Sequence, residues 1–248
     1  MSSLKVIFQN ENWIAIDKPS GFYVHPPEDG RRIDRSQICL YILRDQIGKY
    51  LYPVHRLDVP TSGILIYALS SRSASKLCGL FSSQKIRKKY WAVARGLVPE
   101  DGQIDMPLPN NPTSENLYDA RTDFRRLSDL HIAEPVGKKF PFAKYSLIEA
   151  APQTGRYHQI RRHFARKSHP LLGDGDHGDS HHNRYFREKL GVQGLCLRAH
   201  QVEFQDPITE EMIQLKAGSD EKWRKIGSLF NYSFENQASL PYEAGLLL

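Results

Sequence analysis

The sequence predicts an α+β fold built on a mixed, mostly antiparallel β-sheet. Two observations lead to this prediction. Short strand-like runs joined by tight turns recur along the chain, as in hairpins, and amphipathic helical stretches separate them at a few places. The 248 residues, 40% hydrophobic and 25% charged, are enough to bury an ample core. We expect a domain over residues 1–232 and a loosely ordered tail over 233–248, where strong periodicity is lacking.

The first part of the chain alternates strands with two helices. Asp34 is a candidate N-cap for a helix that runs to Ile47 and stops at Gly48. Residues 71–84 form the second helix, because apolar side chains recur there at helical spacing. The apolar runs that predict strands in this part are 6–8, 13–16, 22–24, 64–69 and 89–95.

The second part contains a basic helix and two further strand pairs. Residues 107–119 are rich in Pro, Asn and Ser and predict an exposed excursion. The helix is expected from Arg156 to Lys167, ending before Pro170. The strands expected here are 120–127, 143–150, 195–204 and 211–215, the last two as a hairpin.

A dense polar cluster at residues 54–63 stands directly before the buried strand 64–69. It includes Arg56, Asp58 and Thr61. A carboxylate at the mouth of a buried strand must be paired, because its desolvation is otherwise costly. The cluster is therefore a candidate site. The alternative is a structural turn whose Asp58 and Thr61 side chains bond backbone amides.

Helix geometry indicates a partner for Asp58. At 100° per residue, Tyr157, Ile160 and Phe164 share one face of the basic helix, and Arg161 lies roughly 40° from Tyr157. Arg161 is therefore the arginine of this helix that we expect to be partly buried. A buried guanidinium needs a carboxylate, and Asp58 is the candidate.

Two basic clusters without acidic residues indicate a polyanionic partner. The net charge is +6. One cluster lies between Lys85 and Arg95 and the other between Arg156 and Lys167, and aromatic residues are interleaved in both. A solvated face is the alternative, but interleaved aromatic rings favour nucleic acid. The candidate RNA-binding residues from these clusters are Lys88, Lys89, Arg156 and Arg162.

Tyr90 is a candidate for stacking, because it alternates with Ala92 and Ala94 along its strand. Small neighbours on the same face leave room above its ring. A core tyrosine is the alternative. His55 lies beside the polar cluster, and the sequence assigns it no role.

Several classes of protein are disfavoured. No apolar run approaches the roughly 20 residues of a membrane span, and the start lacks the apolar core of a signal peptide. The three cysteines form no CxxC and suit a reducing cytoplasm. The chain has no GxGxxG and no Walker loop, so no nucleotide cofactor is expected.

A metal site is not expected either. The Gly/Asp loop at 171–179 resembles a calcium loop, but Gly178 and Tyr185 occupy ligand positions. His158 and His163 are five residues apart, which is the wrong spacing for one helical face.

Three stretches together resemble the RluA-type pseudouridine synthases. The resemblance spans nearly the whole chain, from Asp17 to His200. It implies a central sheet of about eight strands with flanking helices and a cleft across the sheet. The three stretches are His55-Arg56-Leu57-Asp58 with Thr61-Ser62-Gly63; Lys89-Tyr90-Trp91-Ala92-Val93 with Gly96; and 152–163 continuing through His169-Pro170 and Gly173-Asp174.

The resemblance also implies residue roles. Asp58 matches the catalytic aspartate, Tyr90 the tyrosine that stacks on the target base, and Arg161 the arginine that pairs with the aspartate. Arg56 matches the arginine that fills the stack that the flipped uridine leaves. The expected pocket-lining residues are Ile160 and Leu171, which match apolar family positions, and Thr61 from the polar cluster.

Such an enzyme isomerises uridine in RNA without a cofactor. Many relatives carry an N-terminal S4 RNA-binding domain; here strands begin by Val6, so none is expected. Residues 168–170 and 176–178 resemble a bacterial subgroup that modifies uridine 65 of tRNA. Ribosomal RNA is the alternative substrate. We expect a cytoplasmic monomer with RNA as its partner.

Two hypotheses of other classes remain open at this point. The first is a catalytically silent RNA-binding protein on the same scaffold, which the intact Asp58, Tyr90 and Arg161 argue against. The second is a metal-dependent hydrolase that uses the His- and Asp-rich region at 158–182.

Overall fold

The computed structural model describes residues 3–27, 29–111, 113–137 and 140–235. The expected tail therefore lies mostly outside the described residues. The strands are β1 (Lys5–Gln9), β2 (Trp13–Lys18), β3 (Tyr52–Pro53), β4 (Ser62–Ala68), β5 (Arg87–Arg95), β6 (Asp101–Asp105), β7 (Arg121–Ile132), β8 (Ala143–Pro152), β9 (Leu197–Gln205) and β10 (Met212–Lys216). The α-helices are α1 (Cys39–Ile47), α2 (Ser71–Ser82), α3 (Gln159–Arg166), α4 (Ser180–Glu188) and α5 (Glu221–Leu229).

One sheet contains all of these strands, and it confirms the predicted fold class. Its central path runs β1-β2-β4-β9-β5-β8-β7-β6, with β3 added on β4 and β10 added on β9. Among the described pairs, β4 with β9 is parallel and the others are antiparallel. The path has the eight strands that the resemblance implies, and two short strands extend it.

The parallel contact between β4 and β9 requires a glycine. Gly63 has a φ of +112°, and a Cβ atom there would lie 2.1 Å from the carbonyl oxygen of Ala199. Only glycine combines this backbone conformation with so close an approach. The polar loop before β4 is thereby brought next to β9 and, through it, to β5.

The expected helix after Asp34 is only partly right. The Asp34 side chain accepts a hydrogen bond from the Ser36 amide, but it caps a short 3-10 turn at Arg35–Gln37. The α-helix begins at Cys39 and ends at Gly48 in the left-handed conformation, as the sequence predicts. The strand expected at 22–24 is reduced to a single bridge between Tyr23 and Ile38.

Four elements are absent from the sequence prediction, namely β3, β6, α4 and α5. Helix α4 carries polar side chains on nearly every face, and Phe186 is its one fully buried residue. Such a helix has too narrow an apolar stripe to be recognised by periodicity. Asp179 stabilises its start by accepting from the amides of His181 and His182.

Both faces of the sheet are covered. On β5, Ala92 and Ala94 pack with Ile160 in one apolar cluster, while Trp91 and Val93 pack in another, as the alternation predicts. Phe234, near the end of the described chain, packs against Trp91 at a ring separation of 4.2 Å.

Within the described ranges, no helix has both the length and the apolar character that a membrane crossing requires.

Candidate active site

The loop that carries Asp58 is fixed to the strand that follows it by His55. The His55 Nε2 atom accepts a hydrogen bond from the amide of Ile66 at 3.0 Å. Its ring stacks on Phe81 with centroids 4.3 Å apart. Burial lowers the pKa of His55 to about 3, so the imidazole is neutral and can accept the bond. His55 therefore has a structural role beside the site.

A buried lysine fixes the other side of this loop. Lys18, at the end of β2, is fully buried, and its Nζ donates to the carbonyl oxygens of Val59 and Pro19, both at 3.0 Å. Burial lowers the pKa of Lys18 to about 8. The sequence does not single out this lysine, although a charged residue at the end of an apolar strand was a usable signal.

Arg161 lies at the centre of the site and is 2% exposed. Its Nη1 donates to Asp58 Oδ2 at 3.1 Å, which confirms the predicted pairing of the two side chains. Its Nε and Nη2 donate to the two oxygens of Asp174 at 2.9 and 2.7 Å. Nη2 also donates to Asp176 Oδ2 at 2.6 Å. The sequence predicts one carboxylate for Arg161, and the structure provides three.

The electrostatics keep this network charged. Burial acts to lower the pKa of Arg161, but the hydrogen bond and charge of Asp174 and the charge of Asp58 outweigh it and raise the pKa. Burial acts to raise the pKa of Asp174, but the Arg161 hydrogen bond and charge keep it below its usual value. Arg161 is therefore a permanent cation that is anchored by the fully buried Asp174.

A cavity of ≈160 Å³ opens beside this ion network. Its lining is both basic and aromatic, which is the character predicted for a site that binds RNA. The predicted site residues that the structure brings to its walls are Asp58, Tyr90, Arg161, Arg56, Lys88, Arg156, Thr61 and Ile160.

Three predicted site residues lie elsewhere. Leu171 is buried behind the wall, where it forms a bridge with Ala94 and packs in the same cluster as Ile160, so its assignment to the pocket lining is corrected. Lys89 is paired with Glu149 at 3.2 Å. Arg162 is not among the residues that line the cavity.

Helix α3 begins later than predicted, at Gln159 instead of Arg156. His158 is the N-cap of α3 with a φ of +49°, so Tyr157 precedes the helix and does not share its apolar face. The Tyr157 ring stacks on His158 with centroids 3.8 Å apart, and both residues line the cavity. Sequence reasoning missed His158, because a left-handed residue at a helix start interrupts the assumed 100° period.

The exposed excursion reaches the cavity as well. Asn110 lines it, and Arg156 donates from Nη1 to the Asn110 side chain at 3.1 Å and from Nε to the carbonyl of Asp119 at 3.0 Å. Arg156 therefore links the excursion to the segment that leads into α3. The RNA contact predicted for Arg156 stays a prediction.

In the described part of the chain, His158, Asp176 and His177 are the candidate ligands for a metal ion.

A buried arginine that fixes an aspartate beside a small basic cavity, with a tyrosine in its wall, defines a site for chemistry on a single RNA base. On a mixed sheet of this topology, it indicates the pseudouridine synthases. The model of the family described as RNA pseudouridylate synthase matches residues 12–166, and the chain belongs to this family.

Sequence relatives agree over nearly the whole chain. A protein of Pasteurella multocida named tRNA pseudouridine synthase C is 38% identical over 94% of this chain and 99% of its own length. A protein of the same name from Vibrio cholerae is 37% identical over 92% of this chain and 96% of its own length.

Solved structures agree on the fold. Human RNA Pseudouridylate Synthase Domain Containing 4 superposes with a TM-score of 0.70 at 22% identity, covering 92% of this chain and 93% of its own. Human RNA Pseudouridylate Synthase Domain Containing 1 superposes with the same TM-score at 21% identity, covering 92% and 86%.

Proposed function

We propose that this protein isomerises uridine 65 of tRNA to pseudouridine. The observation that supports the reaction most directly is the Asp58 carboxylate, which Arg161 fixes at 3.1 Å in the wall of the cavity. The names of the relatives support tRNA as the substrate class. Ribosomal RNA remains the alternative, and no contact in the site favours it.

The cavity suits one base that has left the RNA stack. At ≈160 Å³ it is smaller than the roughly 300 Å³ at which pockets for drug-sized ligands begin. Flipping a base costs a few kcal/mol, and contacts with the protein must offset this cost. Tyr90 can stack on the base inside the cavity, and the exposed Arg56 can occupy the vacated position in the RNA.

Thr61 offers a polar contact for the base. Its hydroxyl is buried in the cavity wall, and it has no hydrogen-bond partner among the described residues. An unpaired buried hydroxyl costs about 1–3 kcal/mol in the free enzyme. The hydroxyl is shielded in the free enzyme, so a small shift of the cavity wall would expose it to a uracil that supplies the missing partner and recovers part of this cost.

The reaction rearranges bonds without any gain or loss of atoms. The N1–C1′ bond breaks, the uracil rotates, a C5–C1′ bond forms, the C5 proton leaves and N1 takes up a proton. Asp58 can attack C1′, attack the base or remove the C2′ proton, and each route needs its carboxylate to face the nucleoside. Arg161 fixes the orientation of that carboxylate.

We infer a cytoplasmic location from the proposed substrate, because tRNA is modified where it is made and Cys39, Cys78 and Cys196 are free thiols in the structure. We also propose that the protein acts as a monomer.

The substrate is tested by mapping pseudouridine in RNA from cells with and without this gene. The proposal expects pseudouridine 65 of tRNA to disappear in the deletion and to return with the wild-type gene, but not with Asp58→Asn. Loss of a pseudouridine in ribosomal RNA with tRNA unchanged would overturn the assignment of the substrate and leave the isomerase chemistry intact.

A further inference from the structure

Three side chains from two separate segments meet directly beside Asp58 and Arg161. His158 comes from the start of α3, and Asp176 and His177 come from the loop before α4. One ligand atom of each side chain lies within 4.8 Å of the other two. His158 Nδ1 is 3.0 Å from His177 Nε2 and 3.8 Å from Asp176 Oδ2.

We propose that this cluster, defined by His158, Asp176 and His177, is a binding site for a zinc-like divalent metal ion, and that occupancy of the site inhibits the enzyme. The inhibitory half of the proposal rests on the proposed function. No step of the proposed isomerisation uses a metal, so the ion is assigned a regulatory role.

The spacing of the ligand atoms fits such an ion. Zinc binds imidazole nitrogens and carboxylate oxygens at about 2.0–2.2 Å in a tetrahedral arrangement, which places neighbouring ligand atoms roughly 3.3 Å apart. The observed 3.0 and 3.8 Å lie on either side of this value. The ligand atoms of His177 and Asp176 lie within 4.8 Å of each other, and rotation of the exposed Asp176 side chain would complete the site, with the fourth position open to water.

The ligands are held in place without a metal. The amides of Asp176 and His177 donate to Asp174 Oδ1 at 3.0 and 3.1 Å. Gly178 permits this tight loop, because a Cβ atom there would lie 2.1 Å from the carbonyl oxygen of Asp174. His158 is held by the stack of its ring on Tyr157. A site that is already ordered loses little entropy on binding an ion.

The chemistry and exposure of the ligands select the kind of ion. Two imidazoles and one carboxylate favour Zn²⁺, Ni²⁺ or Cu²⁺ over Mg²⁺ and Ca²⁺, which prefer oxygen ligands. The Asp176 side chain is 63% exposed, whereas that of His158 is 11% exposed. The ion can therefore enter from solvent past Asp176 and reach the half-buried imidazoles.

Inhibition follows from the neighbours of the site. Asp176 Oδ2, a proposed ligand, now accepts from Arg161 at 2.6 Å, so a metal would compete with the guanidinium for this oxygen. His158 Nε2 lies 3.7 Å from Asp58 Oδ2, which places the added positive charge next to the reactive carboxylate. Both effects disturb the pairing of Arg161 with Asp58.

The alternative is that the cluster is only a hydrogen bond between two imidazoles. Direct binding separates the two readings. The full-length protein is first treated with chelator and then titrated with Zn²⁺ by calorimetry and with Co²⁺ by visible absorption. We expect one equivalent to bind and the cobalt spectrum to indicate a tetrahedral site. No saturable binding would overturn the proposal.

Matched variants test the assignment of the ligands. His177 does not line the cavity, so His177→Ala is expected to lose tight metal binding and to keep its activity in chelator. His181 lies nearby on α4 with its side chain 53% exposed, and His181→Ala should bind metal like the wild type. His177→Phe, which keeps the ring volume, replaces His177→Ala if that variant does not fold. Equal binding by the His177 and His181 variants would overturn the site.

Inhibition of the enzyme by the bound metal is tested separately, by an activity assay. Release of tritium from uridine-labelled RNA should fall at least tenfold at one equivalent of Zn²⁺ and recover with chelator, and His177→Ala should resist. Tight binding without inhibition would overturn the regulatory role alone. If the protein binds Zn²⁺ tightly but has no activity on RNA, the proposed function is contradicted and the proposed metal site is still supported.

Discussion

Arg161 donates a hydrogen bond to Asp58 at 3.1 Å while its opposite edge is held by both oxygens of Asp174. The two residues of the pair are 103 positions apart in the chain. Asp58 is therefore positioned by a side chain that is itself anchored in the protein interior. This arrangement positions the Asp58 carboxylate through contacts within the protein alone.

Replacing Arg161 with methionine should abolish turnover and strongly destabilise the protein. The change leaves the buried Asp174 without its cation, and breaking a buried pair in this way costs roughly 3–5 kcal/mol. Urea unfolding and single-turnover assays measure the two effects. Arg162→Met is the control, because Arg162 lies outside the cavity wall. Equal losses in both variants would contradict the central position of Arg161.

Asp174→Asn should slow turnover with little change in KM, because Arg161 loses its anchor while the cavity keeps its other walls. It should also lower the free energy of unfolding, since Arg161 would be less well compensated. Asp176→Asn removes a carboxylate from the same guanidinium, but its side chain is 63% exposed, so its effect on stability should be at most about 1 kcal/mol. A larger effect for Asp176→Asn than for Asp174→Asn would show that the anchor is misassigned.

Thr61→Val should weaken substrate use without weakening the fold. Valine keeps the shape of threonine and removes a hydroxyl that has no partner among the described residues. The free energy of unfolding should therefore stay the same or rise, while kcat/KM falls by roughly fivefold if the base loses one hydrogen bond of about 1 kcal/mol. Unchanged kinetics in this variant would exclude Thr61 from base recognition.

His55 should make the protein less stable in acid. Its ordinary pKa is 6.5 and burial lowers it to about 3 in the fold, so between these values the unfolded chain binds a proton that the folded chain does not. The free energy of unfolding therefore falls as pH falls from about 6.5 to about 3, by up to roughly 1.4 kcal/mol per pH unit. His55→Gln keeps an acceptor for the Ile66 amide and does not titrate. Chemical unfolding should be measured for the wild type and the variant across this range. The two plots of the free energy of unfolding against pH should converge as pH falls. Parallel plots would mean that His55 does not contribute to the pH dependence of stability.

The sequence predicts the parts of this site that have a regular period. Strand alternation places Tyr90 on the same face as Ala92 and Ala94. The helical wheel identifies Arg161 as the buried arginine of its helix, although it does so from a position roughly 40° from Tyr157. The wheel is wrong for Tyr157, because the helix begins two residues later. Periodicity predicts side-chain directions reliably only inside a helix or strand. The ends of a helix or strand depend on local hydrogen bonds.

The remaining parts depend on contacts that no period encodes. Asp174 and Asp176 lie in a loop, where their spacing gives no direction to their side chains. Lys18 lies in an apolar strand, where a charged residue has a partner only because the loop at Val59 folds over it. These side chains are defined by contacts between distant segments, so the folded structure was needed to identify them.

The isomerisation itself is tested most directly by release of tritium from tRNA labelled at C5 of uridine, since the C5 proton must leave when the new bond forms. Wild-type protein should release tritium with chelator present, and Asp58→Asn should release none while still binding tRNA. Release that disappears in chelator would indicate metal-dependent chemistry. Release by Asp58→Asn at the wild-type rate would contradict the role of Asp58, and with it the proposed mechanism.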